Sequence, residues 1–406
     1  MPHDIVRLRN GLRLIHKETN SPISHFGVLV NAGTRDEASN QMGLAHFVEH
    51  TIFKGTENRN AYHVISRMEA VGGDLNASTS KEETYFHTSF LSKEYPRAVE
   101  LLSDIFFHAT FPEKELEKEK TVVLEEINYY QDSPAELIFD DFEDLVFSGH
   151  PLGKNILGTK ASVRKMKRQG VLDFIAQNYT LDNIVLASVG DISAKRLLRL
   201  CEQYFGGYEM PQTNRKRTPF TTYKPDNKFV RKNTAQTNVV LGNIAYSITE
   251  DKRVPFLLLT NILGGQGMNT RLNMSVREKK GMAYAIESSY TPFSDIGLFT
   301  TYFGCDPHNR ENCVELIYKE MKKVREQKLG TMQLYYAKQQ FVGQLNLSYE
   351  PKLTEMLSIG HAALFFDEVD TIEESLSEIR DITADEILEV ANEILQPEKF
   401  SMLTFE

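Results

Sequence analysis

The sequence predicts an α+β protein with two homologous domains, each an antiparallel-rich sheet with helices packed on one face. Three observations lead to this prediction: a hairpin signal near the start, groups of strand patterns that alternate with groups of helix patterns, and an order of features that occurs twice. At 406 residues the chain is too long for one hydrophobic core. At least two domains are therefore expected.

The first half opens with strands. Residues 4–8 and 12–17 alternate between apolar and polar around Asn10-Gly11, a strong hairpin signal, and residues 25–30 form the next strand. The patterns that follow predict helices at 61–70, 94–107, 112–131, 135–147 and 161–177, and strands at 74–80, 83–90 and 184–189. The second half repeats this plan and ends in a helix at 384–394.

An internal duplication explains the repeated plan. Residues 85–90 resemble residues 298–303, and residues 52–55 align with residues 262–265. Residues 99–101 recur as 314–316, each on an amphipathic helix. The alternative is chance similarity between two domains of one class.

The predicted domains are residues 1–207 and 226–406. Residues 208–225, rich in Thr, Lys and Pro, are interpreted as a linker. Along the register of the duplication, Phe256, Leu259 and Thr260 fall opposite residues 46, 49 and 50. Phe, Leu and Thr side chains are not the ligands that zinc uses in proteins, so only the first domain is expected to carry a metal site.

Composition excludes several classes of protein. The chain is 41% hydrophobic and 25% charged, as in ordinary globular proteins, and its net charge of −10 argues against general nucleic-acid binding. No apolar run is long enough to span a membrane, and residues 1–4 lack the features of a signal peptide. The three cysteines show no paired spacing, which favours free thiols and a cytoplasmic location.

The pentad His46-Phe47-Val48-Glu49-His50 is the strongest chemical signal. If the segment is helical, His46 and His50 lie one turn apart on one face and can share a tetrahedral metal ion. Glu49 stays near that face, where it can take a proton from a water that the metal activates. The alternative is a buried helix with two polar histidines.

A catalytic zinc usually has a third protein ligand. The predicted helix at 112–131 contains three candidates, Glu119, Glu125 and Glu126. Glu119 and Glu126 are seven residues apart and share a face. The local pattern does not choose among the three, and a solvated charged helix would account for most of these carboxylates.

The pentad, followed by this pair of glutamates, resembles the pitrilysin/insulinase family of zinc metallopeptidases. The resemblance covers nearly the whole chain and is strongest to short bacterial members and to the catalytic subunit of mitochondrial processing peptidase. Further stretches that match the family are residues 53–56, 72–77, 150–153, 190–191 and 277–284. The family therefore implies a metalloendopeptidase that hydrolyses extended, unstructured peptides.

The resemblance implies roles for residues of the first domain. His46, His50 and Glu126 would bind one Zn²⁺ per chain, Glu49 would be the general base, and Glu119 would support the site. Surface salt bridges are the alternative role for Glu119.

The resemblance also implies a substrate site. Asn76 and Ala77 would form a strand edge beside the metal where a peptide pairs. Arg277 and Tyr284 would hold the substrate backbone and the developing oxyanion. Without the resemblance, Asn76 would be interpreted as a turn residue, Arg277 as a solvated helix end and Tyr284 as a core tyrosine.

Longer family members enclose peptides in a chamber of four such domains. This chain holds two, so the resemblance implies a homodimer in which Arg277 and Tyr284 serve the zinc of the partner subunit; an unlike partner subunit is also compatible. Two other functions remain: a non-catalytic scaffold or partner subunit of a processing peptidase, and a metal hydrolase acting on a non-peptide ester. Intact ligand positions argue against the first, and the Arg277/Tyr284 pair argues against the second.

Overall fold

The computed structural model describes residues 5–212, 215–232 and 236–406. The start of the first predicted strand and two residues of the predicted linker therefore lie outside the described residues. Within the described part of the chain, no helix is both long and apolar enough to cross a membrane. The three cysteines, Cys201, Cys305 and Cys313, are buried free thiols.

The first half of the described chain builds a six-stranded sheet. Its strands are β1 (Val6–Arg7), β2 (Arg13–Glu18), β3 (Ile23–Val30), β4 (Asp74–Thr79), β5 (Thr84–Leu91) and β6 (Ile184–Gly190). They lie in the order β1-β2-β6-β3-β5-β4. The β2–β6 pair is parallel and the other neighbours are antiparallel, which confirms the antiparallel-rich sheet that the sequence predicts.

The second sheet repeats the first. Its described strands are β7 (Asn227–Val230), β8 (Thr237–Ala245), β9 (Ala283–Pro292), β10 (Gly297–Cys305) and β11 (Ser401–Phe405), in the order β7-β11-β8-β10-β9. Its first pair is parallel and the rest are antiparallel, as in the first sheet from β2 onwards. Strands β5 and β10, which contain the similar segments 85–90 and 298–303, occupy the same place in the two sheets.

The helices include all the predicted segments, one of them divided in two, and several whose bounds the sequence did not predict, such as the helix at 194–204. They are α1 (Leu44–Ile52), α2 (Ala61–Glu69), α3 (Tyr95–His108), α4 (Glu113–Gln131), α5 (Pro134–Val146), α6 (Lys160–Lys165), α7 (Arg168–Asn178), α8 (Ala194–Tyr204), α9 (Arg253–Gly264), α10 (Arg310–Glu326), α11 (Thr331–Ser348), α12 (Lys352–Phe365), α13 (Ile372–Asp381) and α14 (Ala384–Ile394). The single helix predicted at 161–177 is two, α6 and α7. Met166 ends α6 with a ψ of 137° and buries its side chain, which redirects the chain before α7 begins.

The chain forms two compact units, and neither is a continuous stretch. The first comprises residues 1–127, 155–217 and 347–372, and the second comprises residues 128–154, 218–346 and 373–406. Residues 128–154, from the first half of the sequence, therefore belong to the second unit, and residues 347–372, from the second half, belong to the first unit. The boundaries at 207 and 226 stay a prediction of where the two repeats meet.

In the first unit, the exchanged helix α12 covers one face of the sheet. Met356 and Ile359 of α12 belong to a core cluster with Leu29 of β3. On the same strand, Phe26 contacts Phe205 just beyond α8. Because side chains alternate along a strand, Phe26 and Leu29 point to opposite faces, so this sheet has helices on both.

The second unit is built in the same way. Helix α5 packs Phe142 against Val240 and Leu403 on one face of the sheet. Helices α9, α10 and α14 share a core cluster with Val239 and Phe299, on the other face. The helices α9, α10 and α14 of the second repeat thus lie on one face as predicted. The sequence predicted α5 as a helix of the first domain and did not indicate that it packs on the second sheet.

We expect Met356→Ala to destabilise the protein by about 2–5 kcal/mol, because the fully buried side chain would leave a cavity under α12. Met332→Ala on α11 is the matched control, since Met332 is 57% exposed and its loss should change stability by less than about 0.5 kcal/mol. Urea unfolding followed by circular dichroism measures both. Equal effects would contradict the packing of α12 on the first sheet.

Candidate metal centre

Helix α1 carries the pentad and is fixed at its start. Gly43, which precedes the helix, has a φ of +84°, and a Cβ there would lie 2.5 Å from the carbonyl oxygen of Leu157. Glycine is therefore required. The buried carboxylate of Glu37 accepts hydrogen bonds from the backbone N–H groups of Gly43 (2.9 Å) and Ala45 (2.8 Å). This anionic cap stabilises the N-terminus of α1 and sets its position.

Three side chains from α1 and α4 converge. The carboxylate Oε2 of Glu126 lies 3.7 Å from Nε2 of His46 and 3.5 Å from Nε2 of His50. One ligand atom from each of the three residues lies within 4.8 Å of the others, and no further group of this kind occurs among the described residues. Zinc–ligand bonds of about 2.0–2.2 Å in a tetrahedron place neighbouring ligand atoms about 3.4 Å apart, so the arrangement fits a zinc ion.

The local chemistry also fits a cation. Oε2 of Glu126 is buried and has no hydrogen-bond partner in the described part of the chain. Burial and the neighbouring His50 lower the pKa of His46 to about 3. His46 is therefore neutral at pH 7, which is the form in which imidazole binds a metal.

Glu119 holds the second histidine. Its Oε1 lies 3.0 Å from Nδ1 of His50, and its Oε2 accepts a hydrogen bond from Nζ of Lys54 at 2.7 Å. When His50 is neutral, a proton on Nδ1 leaves the lone pair of Nε2 facing Glu126. A carboxylate behind a metal-binding histidine is a common arrangement that orients the ring.

The pKa values of this pair follow from the contact. Burial opposes ionisation of both groups, but the hydrogen bond and mutual charge outweigh it. The pKa of His50 is therefore raised, with help from Glu126 and Glu49, and the pKa of Glu119 is lowered, with help from Lys54. A metal at this site must displace the proton of His50, so acid should weaken its binding.

Glu49 lies beside the metal ligands on α1. Burial has the largest effect and raises its pKa. The neighbouring Thr79 and His50 lower the pKa in part, and the carboxylate of Glu126 raises it again. A carboxylate with a raised pKa is a stronger base than an exposed one, as proton transfer from water requires.

The structure separates the three glutamates between which the local pattern did not choose. Glu126 joins the two histidines, Glu119 contacts His50, and Glu125 is exposed. Lys54 and Glu37 are supporting residues that the sequence did not reveal. Lys54 stands one turn after His50, a spacing that would have placed it near the same face.

Asn76 and Ala77 lie in β4, which forms the edge of the first sheet next to α1. Strand β4 pairs with β5 on one side, and its other side has no strand partner among the described residues. Asn76 is exposed and Ala77 is partly buried. An open edge of this kind can accept a further strand.

Arg277 and Tyr284 belong to the second unit. Arg277 is exposed on the π-helical segment Asn273–Glu278. Tyr284 is 55% exposed on β9 and donates a hydrogen bond to Asp306 at 2.8 Å, which raises the pKa of the phenol. Their role towards a substrate stays a prediction.

The residues of the second repeat that align with the pentad lie on the corresponding helix, α9. Phe256, Leu259 and Thr260 stand on α9 and are buried. Two of the three are apolar, and Thr260 bonds its hydroxyl to the carbonyl of Phe256. The second repeat thus uses the corresponding helix as core.

Comparison with known proteins gives the same assignment for both halves. The family model described as Insulinase (Peptidase family M16) matches residues 13–160, and the one described as Peptidase M16 inactive domain matches residues 165–341. Among solved structures, a protease from Helicobacter pylori superposes with a TM-score of 0.93 at 21% identity, covering 100% of both chains. A peptidase M16 inactive domain from Pseudomonas fluorescens gives 0.92 at 19% identity, covering 100% of this chain and 98% of that one.

Related sequences extend over the same length. A protein of Bacillus subtilis named uncharacterized zinc protease YmxG is 31% identical over 390 residues, which cover 95% of this chain and 94% of the relative. An uncharacterized zinc protease of Rickettsia felis is 32% identical over 398 residues, with 96% and 94% coverage. The chain therefore belongs to the insulinase family of peptidases, family M16.

Proposed function

We propose that this chain is a zinc-dependent endopeptidase that hydrolyses extended, unstructured peptides. The observation that carries the proposal is the convergence of His46, His50 and Glu126, with Glu49 on the same helix as the two histidines. Membership of a peptidase family and relatives named zinc proteases support it.

The three converging side chains would bind one zinc ion per chain. When bound, zinc would supply Lewis-acid chemistry, which acidifies water and withdraws charge from a carbonyl oxygen. Glu119 would keep His50 oriented for binding through the hydrogen bond to Nδ1. Lys54 would hold Glu119 in turn.

Glu49 would move the proton. Its carboxylate would take a proton from the attacking water and deliver it to the amine that leaves when the peptide bond breaks. Burial, which raises the pKa of Glu49, makes it a better base for the first transfer and a usable acid for the second.

The open edge of β4 would bind the substrate. A peptide that adds as a strand beside Asn76 and Ala77 is held mainly through its backbone, so loose sequence preference is expected. Arg277 and Tyr284 would hold the backbone and the oxyanion. Tyr284 would then exchange its hydrogen bond to Asp306 for one to the substrate.

A homodimer is part of the proposal, with Arg277 and Tyr284 acting on the metal centre of the partner subunit. Binding of nucleic acid is not expected at a net charge of −10, and a cytoplasmic location is the expectation for a chain with three free thiols. A non-catalytic scaffold would have no need of the ligand set found here.

We expect His50→Ala to lose zinc, because the remaining two ligands cannot complete the site. Glu125→Gln is the control on α4, next to the proposed ligand Glu126: its side chain is exposed and the variant should keep zinc. Metal content after dialysis against a weak chelator measures both. Equal zinc retention in the two variants would contradict the assigned ligands.

Glu49→Gln should keep zinc and lose about 100- to 10,000-fold in kcat, since the amide retains the shape of the side chain but accepts no proton. Cleavage of a quenched fluorescent peptide, measured beside the metal content, tests this. Full activity of the variant would exclude Glu49 as the base.

Mixing two inactive chains tests the dimer. If Tyr284 serves the partner subunit, Glu49→Gln chains mixed with Tyr284→Phe chains should recover part of the activity, because one site in each mixed dimer keeps both intact groups. If Tyr284 acts within its own chain, or the chain is monomeric, mixing restores nothing. Sedimentation of the mixture reports whether mixed dimers are present.

A further inference from the structure

The second unit contains a cavity that none of the roles above uses. It has a volume of about 230 Å³ and is lined by the end of α9, by the loop that follows it and by α11. We propose that this cavity binds the C-terminal carboxylate of a peptide.

The first observation is a hydroxyl group on Thr270, in the wall of the cavity, that is unpaired within the described chain. The residue is 4% exposed, and its hydroxyl is buried without a hydrogen-bond partner among the described residues. Buried hydroxyls in folded proteins are almost always paired, because burial removes their hydrogen bonds to water. A ligand that accepts a hydrogen bond would pair with this hydroxyl.

The charge of the cavity selects an anion. Arg271 lines it, and no acidic side chain is among the described residues that do so. The carboxylate of Glu320 lies 3.9 Å from the guanidinium of Arg271 and is held more closely by Lys323, at 2.6 Å. The fork of N–H groups on Arg271 matches the two oxygens of a carboxylate.

Carboxamides add further donors. Asn269 and Gln340 exchange two hydrogen bonds of 2.9 and 3.1 Å, which use one N–H of each amide and leave the second. Gln333 accepts a hydrogen bond from the backbone of Gly330 through its carbonyl oxygen, so its NH₂ group remains a donor. Together with Thr270 and Arg271, these three carboxamides offer several N–H and O–H donors to a ligand in the cavity, as recognition of a carboxylate requires.

Gly267, in the loop after α9, passes close to this carboxamide pair. A Cβ on Gly267 would lie 2.5 Å from Nε2 of Gln340 and 2.6 Å from Oδ1 of Asn269. A larger residue would therefore have to displace the ends of these two side chains, which form part of the cavity wall.

Size and apolar walls define the ligand further. A volume of 230 Å³ is below the roughly 300–1,000 Å³ of pockets for drug-sized ligands, so the cavity suits one terminal residue. Ile262, Leu329 and Ala337 supply apolar wall, which favours a small uncharged side chain. Each cut by a peptidase creates a peptide with a new C-terminal carboxylate. The choice of a peptide as the ligand therefore rests on the proposed function, whereas binding of the carboxylate in this cavity needs no metal.

Fluorescence anisotropy with a labelled peptide that ends in alanine tests the proposal. The peptide is prepared as the free acid and as the C-terminal amide, and both are titrated with the Glu49→Gln chain, with and without a chelator. We expect the free acid to bind roughly 10- to 100-fold more tightly under both conditions, the worth of charged hydrogen bonds. Equal affinities would overturn the proposal without any variant of the cavity.

Variants locate the effect. Arg271→Gln should reduce the free acid to the affinity of the amide, and Arg271→Lys should keep part of the preference. Lys322→Gln is the matched control, since it removes one positive charge from α10, where Lys322 is paired with Glu326 and does not line the cavity. A preference that survives Arg271→Gln would contradict the assignment.

Unlabelled competitors show whether the cavity recognises a terminal residue or any small anion. Displacement of the labelled peptide by N-acetylalanine supports recognition of the terminal residue, and displacement by inorganic phosphate alone would exclude a carboxylate site. Failure of the proposed peptidase activity would appear in cleavage assays and leave these affinities unchanged, so the two ideas fail separately.

Discussion

The hydrogen bond between Glu119 and His50 is the interaction on which the candidate site depends. It binds α4 to α1 and, when His50 is neutral, directs the lone pair of His50 towards Glu126. Because Glu119 and Glu126 are seven residues apart on one helix, the placement that satisfies Glu119 also places Glu126 against both histidines. Lys54 completes the arrangement by binding the other oxygen of Glu119, so the supporting carboxylate is itself fixed from two sides.

The two repeats show how one scaffold is used in two ways. From β2 onwards the first sheet has the same strand order and directions as the second, and both sheets have a helix, α1 or α9, beside the edge strand. In the first repeat that helix presents two imidazoles and one carboxylate, whereas in the second the corresponding residues are Phe256, Leu259 and Thr260, which are buried. The second repeat instead places polar groups at the end of α9 and in the loop that follows, around Thr270 and Arg271. The function proposed for each repeat therefore depends on a few side chains on a common frame.

Much of this could be predicted from local sequence patterns. The periodicity of the helices, the Asn10-Gly11 hairpin and the spacing of His46 and His50 are local properties, and α1, β4, β5 and α14 lie within a few residues of the predicted segments. The choice between Glu125 and Glu126 was not local. Adjacent residues on a helix point about 100° apart, so the rotation of α4 against α1 decides, and only the family resemblance or the structure supplies it.

Contacts between segments that are distant in the chain could not be predicted from the sequence either. Helix α12 packs on strands more than 150 residues earlier in the chain, and its apolar residues would suit any buried face. The break at Met166 could not be predicted because no glycine or proline stands there, and the structure marks it only by an extended backbone and a buried side chain. The roles of Glu37 and Lys54 depend on partners brought near by folding, which single-sequence patterns do not reveal.

Metal-dependent cleavage of a peptide tests the central claim most directly. The purified chain is incubated with an unstructured, quenched fluorescent peptide, first as isolated, then after removal of metal by a chelator, and finally after zinc is added back. The account predicts cleavage that disappears with the chelator and returns with zinc. Cleavage that persists in a chain shown by metal analysis to be free of metal would contradict it.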